Sequence, residues 1–155
     1  MNQSPGASFL ICTSGPHCCA LPLQHVVETM RPLPAEALAG MPTFLLGISL
    51  IRGMPVPVID LACLLGKDSN SSQIARYITL RSGVHIVATA VDTVVGVRHL
   101  PVQNLTMLPP LLKETNRQII AGITVLDEDL LLILQSAYWL PEHVWDALDT
   151  PIGTT

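Results

Sequence analysis

The chain predicts an all-β fold, and three observations carry that prediction. Its apolar residues fall into many short runs rich in β-branched side chains, a composition that suits a pleated, half-buried surface. Turn residues punctuate these runs: Ser14-Gly15-Pro16, Arg52-Gly53-Met54-Pro55, Ser82-Gly83 and Asp127-Glu128-Asp129. In the most apolar region, Pro55 and Pro57 lack backbone N–H groups, so a helix there would lose hydrogen bonds and clash. Many short strands with only brief helices make a β-barrel class.

In chain order, residues 1–7 are polar with Pro and Gly and read as a disordered tail, as do residues 149–155. Phe9 to Thr13 and Cys18 to Val27 form a first hairpin, the second strand bent near Pro22, which favours an edge. Arg31 to Met41 is a Pro-rich connection with one helical turn at Ala35 to Ala39. Phe44 to Ile51 and Val56 to Leu61 form the central hairpin, with Gly53 supplying its turn. Ala62 to Gly66 is a short helix closed by glycine, and the polar stretch from Lys67 to Gln73 marks a boundary between halves. Ile74 to Arg81 and His85 to Val91 form another hairpin, and Asp92 to Leu100 continues as strand. A second Pro-containing crossover follows at Leu105 to Pro110, then the polar stretch Lys113 to Arg117. Ile119 to Leu126 and Leu130 to Leu134 close the sheet structure, and Ser136 to Leu148 is a terminal helix interrupted early by Pro141. No internal repeat is obvious by identity.

Composition narrows the function. Of the 155 residues, 49% are hydrophobic and 13% charged, about half the usual charged share, and mean hydropathy is +0.48. So little polar covering favours a substantial partner surface. The net charge of −4 and eight scattered Lys and Arg residues exclude a nucleic-acid footprint. Arg52, Gly53, Pro55 and Pro57 interrupt the longest apolar region, so no membrane insertion is expected. The first 27 residues carry no charged side chain and hence no positive leader region, which makes the cytoplasm the expected location.

Catalytic or metal chemistry finds little support. Cys12, His17, Cys18 and Cys19 share one predicted hairpin, but alternation sends Cys18 and Cys19 to opposite faces, whereas structural zinc needs four convergent ligands. Together with Cys63, these cysteines read as small core residues, and no cofactor or metal is expected. A metal- or redox-responsive protein using the Cys12–Cys19 hairpin is the alternative from another class. His25, His85, His99 and His143 are isolated, and Asp127-Glu128-Asp129 reads as a solvated hairpin tip. The chain has no P-loop, no GxGxxG and no paired carboxylates in recognisable context, so no catalytic residue is assigned and the protein is not expected to be an enzyme.

One residue stands out. Arg52 sits inside an apolar stretch, where a guanidinium must emerge from the surface or find a fixed anion. Around it the chain resembles the CheW family of chemotaxis coupling proteins, whose signature is P-x-F-I-x-G-V-x-N-L-R-G-x-x-V-P-V-I-D-L. Pro42, Phe44, Gly47, Arg52, Gly53, Val56, Pro57, Val58, Ile59, Asp60 and Leu61 match without a gap, with Leu50 in place of the usual Asn. Val26 and Glu28 match the family's V-x-E, Asp92 matches its V-D, and Gln135 stands where a closing Asp is usual.

The resemblance covers residues 8–148. It implies a single domain of two SH3-like, five-stranded β-barrel subdomains with short helices, the first at about residues 15–73 and the second at about 8–14 plus 74–148. It implies two partners, the regulatory domain of a CheA-type histidine kinase and the cytoplasmic tip of a methyl-accepting chemoreceptor. Val26, Glu28, Gly47, Arg52 and Gly53 would then lie near the recognition surface, with Val56 and Val58 lining it. Glu28 precedes Arg52 by 24 residues, the family's acidic–basic offset, so the two are expected to pair. Their apolar neighbours predict a buried pair. Whether Arg52 braces or touches a partner stays open at this point. The implied role is a non-enzymatic scaffold in a receptor–kinase array, serving chemotaxis, twitching or another surface motility.

Overall fold

The computed structural model describes residues 6–66, 74–101, 119–135, 139–140 and 142–149. Its strands are β1 (Gly6–Ser14), β2 (His17–Pro22), β3 (Val26–Met30), β4 (Leu45–Ile51), β5 (Met54–Asp60), β6 (Arg76–Ser82), β7 (His85–Val91), β8 (Thr93–Pro101), β9 (Ile120–Leu126) and β10 (Asp129–Leu134). Among the described residues there are also two helices, α1 (Leu61–Leu64) and α2 (Glu142–Asp149), and a 3-10 turn at Leu23–His25.

The strands form two five-stranded sheets, ordered β8-β1-β2-β10-β9 and β3-β6-β7-β5-β4. Each sheet has its own apolar cluster. Phe9, Ile11, Ala20, Leu131 and Ile133 fill the first, and Ile51, Val56, Val58, Tyr77 and Ala88 the second. A third cluster lies between them, where Leu10, Cys12, Cys19 and Leu21 meet Ile59, Ile78, Leu80 and Val87. Trp139, Leu140, Val144 and Trp145 join that central core. Alternation along each strand explains the division: Val56 and Val58 face one cluster, and Ile59, at the end of the run, faces the other.

This sheet membership corrects the division read from the sequence. β2 lies within residues 15–73 yet joins the first sheet, and β6 and β7 lie after residue 73 yet join the second. Local pattern specifies a hairpin but not which sheet it joins, so the boundary drawn by linear order fails. Gly6 and Ala7, assigned to a tail, pair with Pro101 and Leu100, and Asp149 is helical. The helical turn at Ala35 to Ala39 is absent. Instead Glu36 exchanges two backbone hydrogen bonds with Ile48 (2.8 and 2.9 Å), Ser49 Oγ donates to the Pro34 carbonyl (2.8 Å), and Tyr77 OH donates to that of Leu33 (2.9 Å). The stretches at 67–73, 105–110 and 113–117, together with residues 1–5, 136–138, 141 and 150–155, lie outside the described residues.

The sheets also reveal a repeat that identity hid. β1 to β5 recur as β6 to β10: a hairpin, a lone strand, then a second hairpin. Parallel pairing of β5 with β7 is mirrored by β10 with β2. Val58 opposite Ala88 corresponds to Ile133 opposite Ala20, and these residues fill equivalent clusters. The trace in sequence is Ser14-Gly15-Pro16-His17-Cys18-Cys19-Ala20 against Ser82-Gly83-Val84-His85-Ile86-Val87-Ala88, identical at Ser, Gly, His and Ala. Gly15 and Gly83 both take positive φ (56° and 64°) to start a two-residue turn, and both serines are buried.

Candidate docking surface

The β4–β5 turn organises the site. Ile51 pairs with Met54, leaving Arg52 and Gly53 as a two-residue turn with φ of 51° and 79°. Both angles are positive, as a type I′ turn requires, and its right-handed twist matches the flanking strands. Gly53 takes this conformation freely; Arg52 takes it at some steric cost.

From the turn, the Arg52 side chain reaches β3. Its Nε donates to Glu28 Oε2 (2.6 Å) and its Nη2 to Oε1 (2.7 Å), a two-pronged ion pair that fixes the guanidinium plane. The pair is exposed, contrary to the buried pair expected: the Arg52 side chain is 76% accessible and that of Glu28 25%. A turn residue at the end of a hairpin projects beyond the sheet, so apolar neighbours in sequence did not become neighbours around the charge. Hydrogen bonding from Arg52 holds the Glu28 carboxyl below its usual range, with desolvation opposing, and the same bond raises Arg52.

Beside the pair lies an open groove of about 510 Å³, lined by residues of β3, β5, β7 and α2. Val27, Met54, Val84 and Ile86 give it exposed apolar walls, Met54 being 63% and Val84 94% accessible. His85 and Trp145 close one side, their rings stacked at 4.1 Å and 7°. A second groove, of about 760 Å³, runs past Leu38, Met41 and Leu50, and Pro55 and Leu148 line both.

The other residues singled out from sequence divide. Val27, rather than Val26, faces outward; Val26 packs on the central core from the bulged start of β3. Val56 is buried but forms part of the groove lining, whereas Val58 is fully buried in its sheet's cluster and touches no surface. Gly47 is also buried. A Cβ there would collide with the Glu36 carbonyl oxygen, and its φ is +149°, so glycine is needed for the 31–44 connection to cross β4. Met54, Val84, Ile86 and the His85–Trp145 stack went unread because their exposure depends on tertiary packing. The turn signal at Ser82-Gly83 could have flagged Val84 as a hairpin tip.

Two of the four cysteines take core positions, whereas Cys18 and Cys63, also expected in the core, are half-buried. Cys12 and Cys19 pair across β1 and β2 and are fully buried in the central cluster. Burial pushes the Cys12 thiol up to about 12 and raises Cys19 as well, which disfavours the thiolate that a metal or nucleophilic role requires.

Comparison with known proteins accords with this architecture. A family model described as the CheW-like domain matches residues 8–141. Protein FrzA of Myxococcus xanthus is 29% identical over 107 residues, covering 68% of this chain and 66% of that protein. The probable chemotaxis protein CheW of Rhizobium etli is 27% identical over 115 residues, 73% of this chain and 74% of that protein. Protein PilI of Pseudomonas aeruginosa is 29% identical over 92 residues, 58% of this chain and 52% of that protein. The crystal structure of the scaffolding protein TtCheW from Thermoanaerobacter tengcongensis shares the fold at a TM-score of 0.76, with 21% identity, over 87% of this chain and 92% of that one. Two SH3-like five-stranded subdomains around a shared core place the chain in the fold class of TtCheW. The chain belongs to the CheW-like domain family.

Proposed function

We propose that the protein couples a CheA-type histidine kinase to the cytoplasmic tip of a methyl-accepting chemoreceptor. In this reading the kinase's regulatory domain meets it barrel to barrel, and the receptor tip lies in a groove beside the β4–β5 turn. The observation that carries the reading is the open apolar groove rimmed by the Arg52–Glu28 pair, an apolar centre with a polar edge as protein interfaces have. Val27, Arg52, Gly53, Met54 and Val84 are the proposed contacts; Gly47 and Val58 act by holding the frame. Holding kinase and receptor together raises their effective concentration, and receptor state is passed on by differential affinity for two kinase conformations, without a bond changing in this protein. The array, at the cytoplasmic face of the membrane, is its proposed location, and no helix among the described residues is long and apolar enough to cross a membrane.

Titration calorimetry of the intact chain, against the regulatory domain of a CheA-type kinase and separately against a receptor tip, tests the proposal. Binding that Met54→Glu and Val84→Glu weaken at least about tenfold, with melting unchanged, supports it. Tight binding indifferent to both substitutions moves the interface elsewhere, and no binding to either partner removes the proposal.

A further inference from the structure

The repeat has an unusual construction. Within each unit, β1–β5 or β6–β10, the strand pairings among the described residues are hairpins: β1 with β2, β4 with β5, β6 with β7, and β9 with β10. Every other pairing joins one unit to the other: β1 with β8, β2 with β10, β3 with β6, and β5 with β7. Neither sheet is therefore complete within one unit. Each unit lends its first hairpin to the sheet that holds the other unit's last three strands. The central core is likewise shared, Ile59 and Leu45 from one unit meeting Ile78 and Val87 from the other. The backbone ties the units through a single connection, residues 61–75, which includes the polar run Lys67-Asp68-Ser69-Asn70-Ser71-Ser72-Gln73.

We infer that the protein forms an exchanged dimer with a second copy of itself, in which β1–β5 of one copy completes both sheets with β6–β10 of the other. All four inter-unit pairings and the shared core are satisfied identically within one chain or between two, so the connection alone decides between them. A connection this short gives an effective concentration on the order of mM. Monomer therefore dominates in dilute solution, and exchange competes when the chain folds at concentrations approaching that value. Reversion requires breaking four strand pairings and the core, which makes it as slow as unfolding. The exchanged form carries two complete copies of each groove on one body. This inference rests on topology and does not depend on the partners proposed above.

Thr13 and Thr93 report the connectivity. They pair across β1 and β8, one in each unit, with hydroxyls 2.5 Å apart. The full-length chain carrying Thr13→Cys, Thr93→Cys, Cys18→Ser and Cys63→Ser, which removes the two half-buried native thiols, is unfolded, refolded at rising concentration and separated by size exclusion with light scattering. Each fraction is then oxidised with diamide and run on a non-reducing gel. The expected result is a dimer fraction that grows with refolding concentration and yields covalent dimers, while the monomer fraction yields covalent monomers. A dimer fraction that cross-links only within one chain, or the absence of any dimer up to mM concentration, overturns the inference. Should that variant fail to fold, Ser8→Cys with His99→Cys spans the same strand pair and reads out identically, their polar atoms lying 3.5 Å apart.

Discussion

Arg52 owes its importance to where a two-residue turn puts it. The side chain leaves the sheet at a hairpin tip and is held flat by both oxygens of Glu28, while three-quarters of it stays in water. An exposed pair of this kind contributes little to folding because water and salt screen it. Arg52→Ala and Glu28→Ala should therefore leave the melting temperature essentially unchanged while weakening partner binding, a separation visible by melting the variants beside the calorimetry. Glu28 has a lowered carboxyl pKa, so whatever the pair contributes is present above pH 4.5 and lost as pH falls through the lowered value. Cys12 acts on the other side of neutrality. Its folded-state thiol is raised from 9.0 to about 12 by burial, so the folded state holds its proton where the unfolded chain has lost it. Stability is full below pH 9 and falls as pH rises toward 12, on the order of 1 kcal/mol already at pH 10. Urea unfolding at pH 8 and pH 10 should show this loss, with a shallower dependence in Cys12→Ala.

At the scale of elements, the turns and close crossings are where sequence and fold agree most directly. The β9–β10 turn has φ of 52° at Asp127 and 73° at Glu128, neither of them glycine. Glu128→Gly should stabilise the protein by about 0.5–1 kcal/mol, measured by denaturant midpoint, because glycine takes that conformation without a Cβ clash. Gly47→Ala should destabilise by about 3 kcal/mol or abolish soluble folding, since its Cβ meets the Glu36 carbonyl, a backbone atom that cannot rotate aside. The strands and hairpins around these points were legible from alternation, β-branching and turn residues. What was not legible was the path of residues 31–44, where Glu36 bridges Ile48 instead of starting a helical turn. Nothing local announces a bridge to a strand a dozen residues away. The exposure of the Arg52–Glu28 pair was hidden for a related reason: apolar neighbours in sequence alternate away from the charge and bury themselves elsewhere.

For the whole molecule, the repeat explains why linear order misassigned the sheets. The Ser-Gly-x-His-x-x-Ala echo at residues 14 and 82 was present in the sequence, but one short identity cannot say that its hairpin crosses to the opposite sheet. Beyond the second unit, α2 packs Val144 and Trp145 into the central core and stacks Trp145 on His85. Trp145→Ala should cost about 3–5 kcal/mol by thermal or denaturant unfolding, as loss of a buried indole does, and should open the wall of the groove it lines. The duplicated frame has not kept duplicated chemistry. Where one unit ends its last hairpin in Arg52 and Gly53, the other ends in Asp127 and Glu128, followed by Asp129. A surface shaped for one tip meets reversed charge at the other, so near-symmetry of backbone coexists with a distinct front and back. Anything assembled by stringing such bodies side by side would acquire a sense of direction, as a row of arrows does and a row of beads does not.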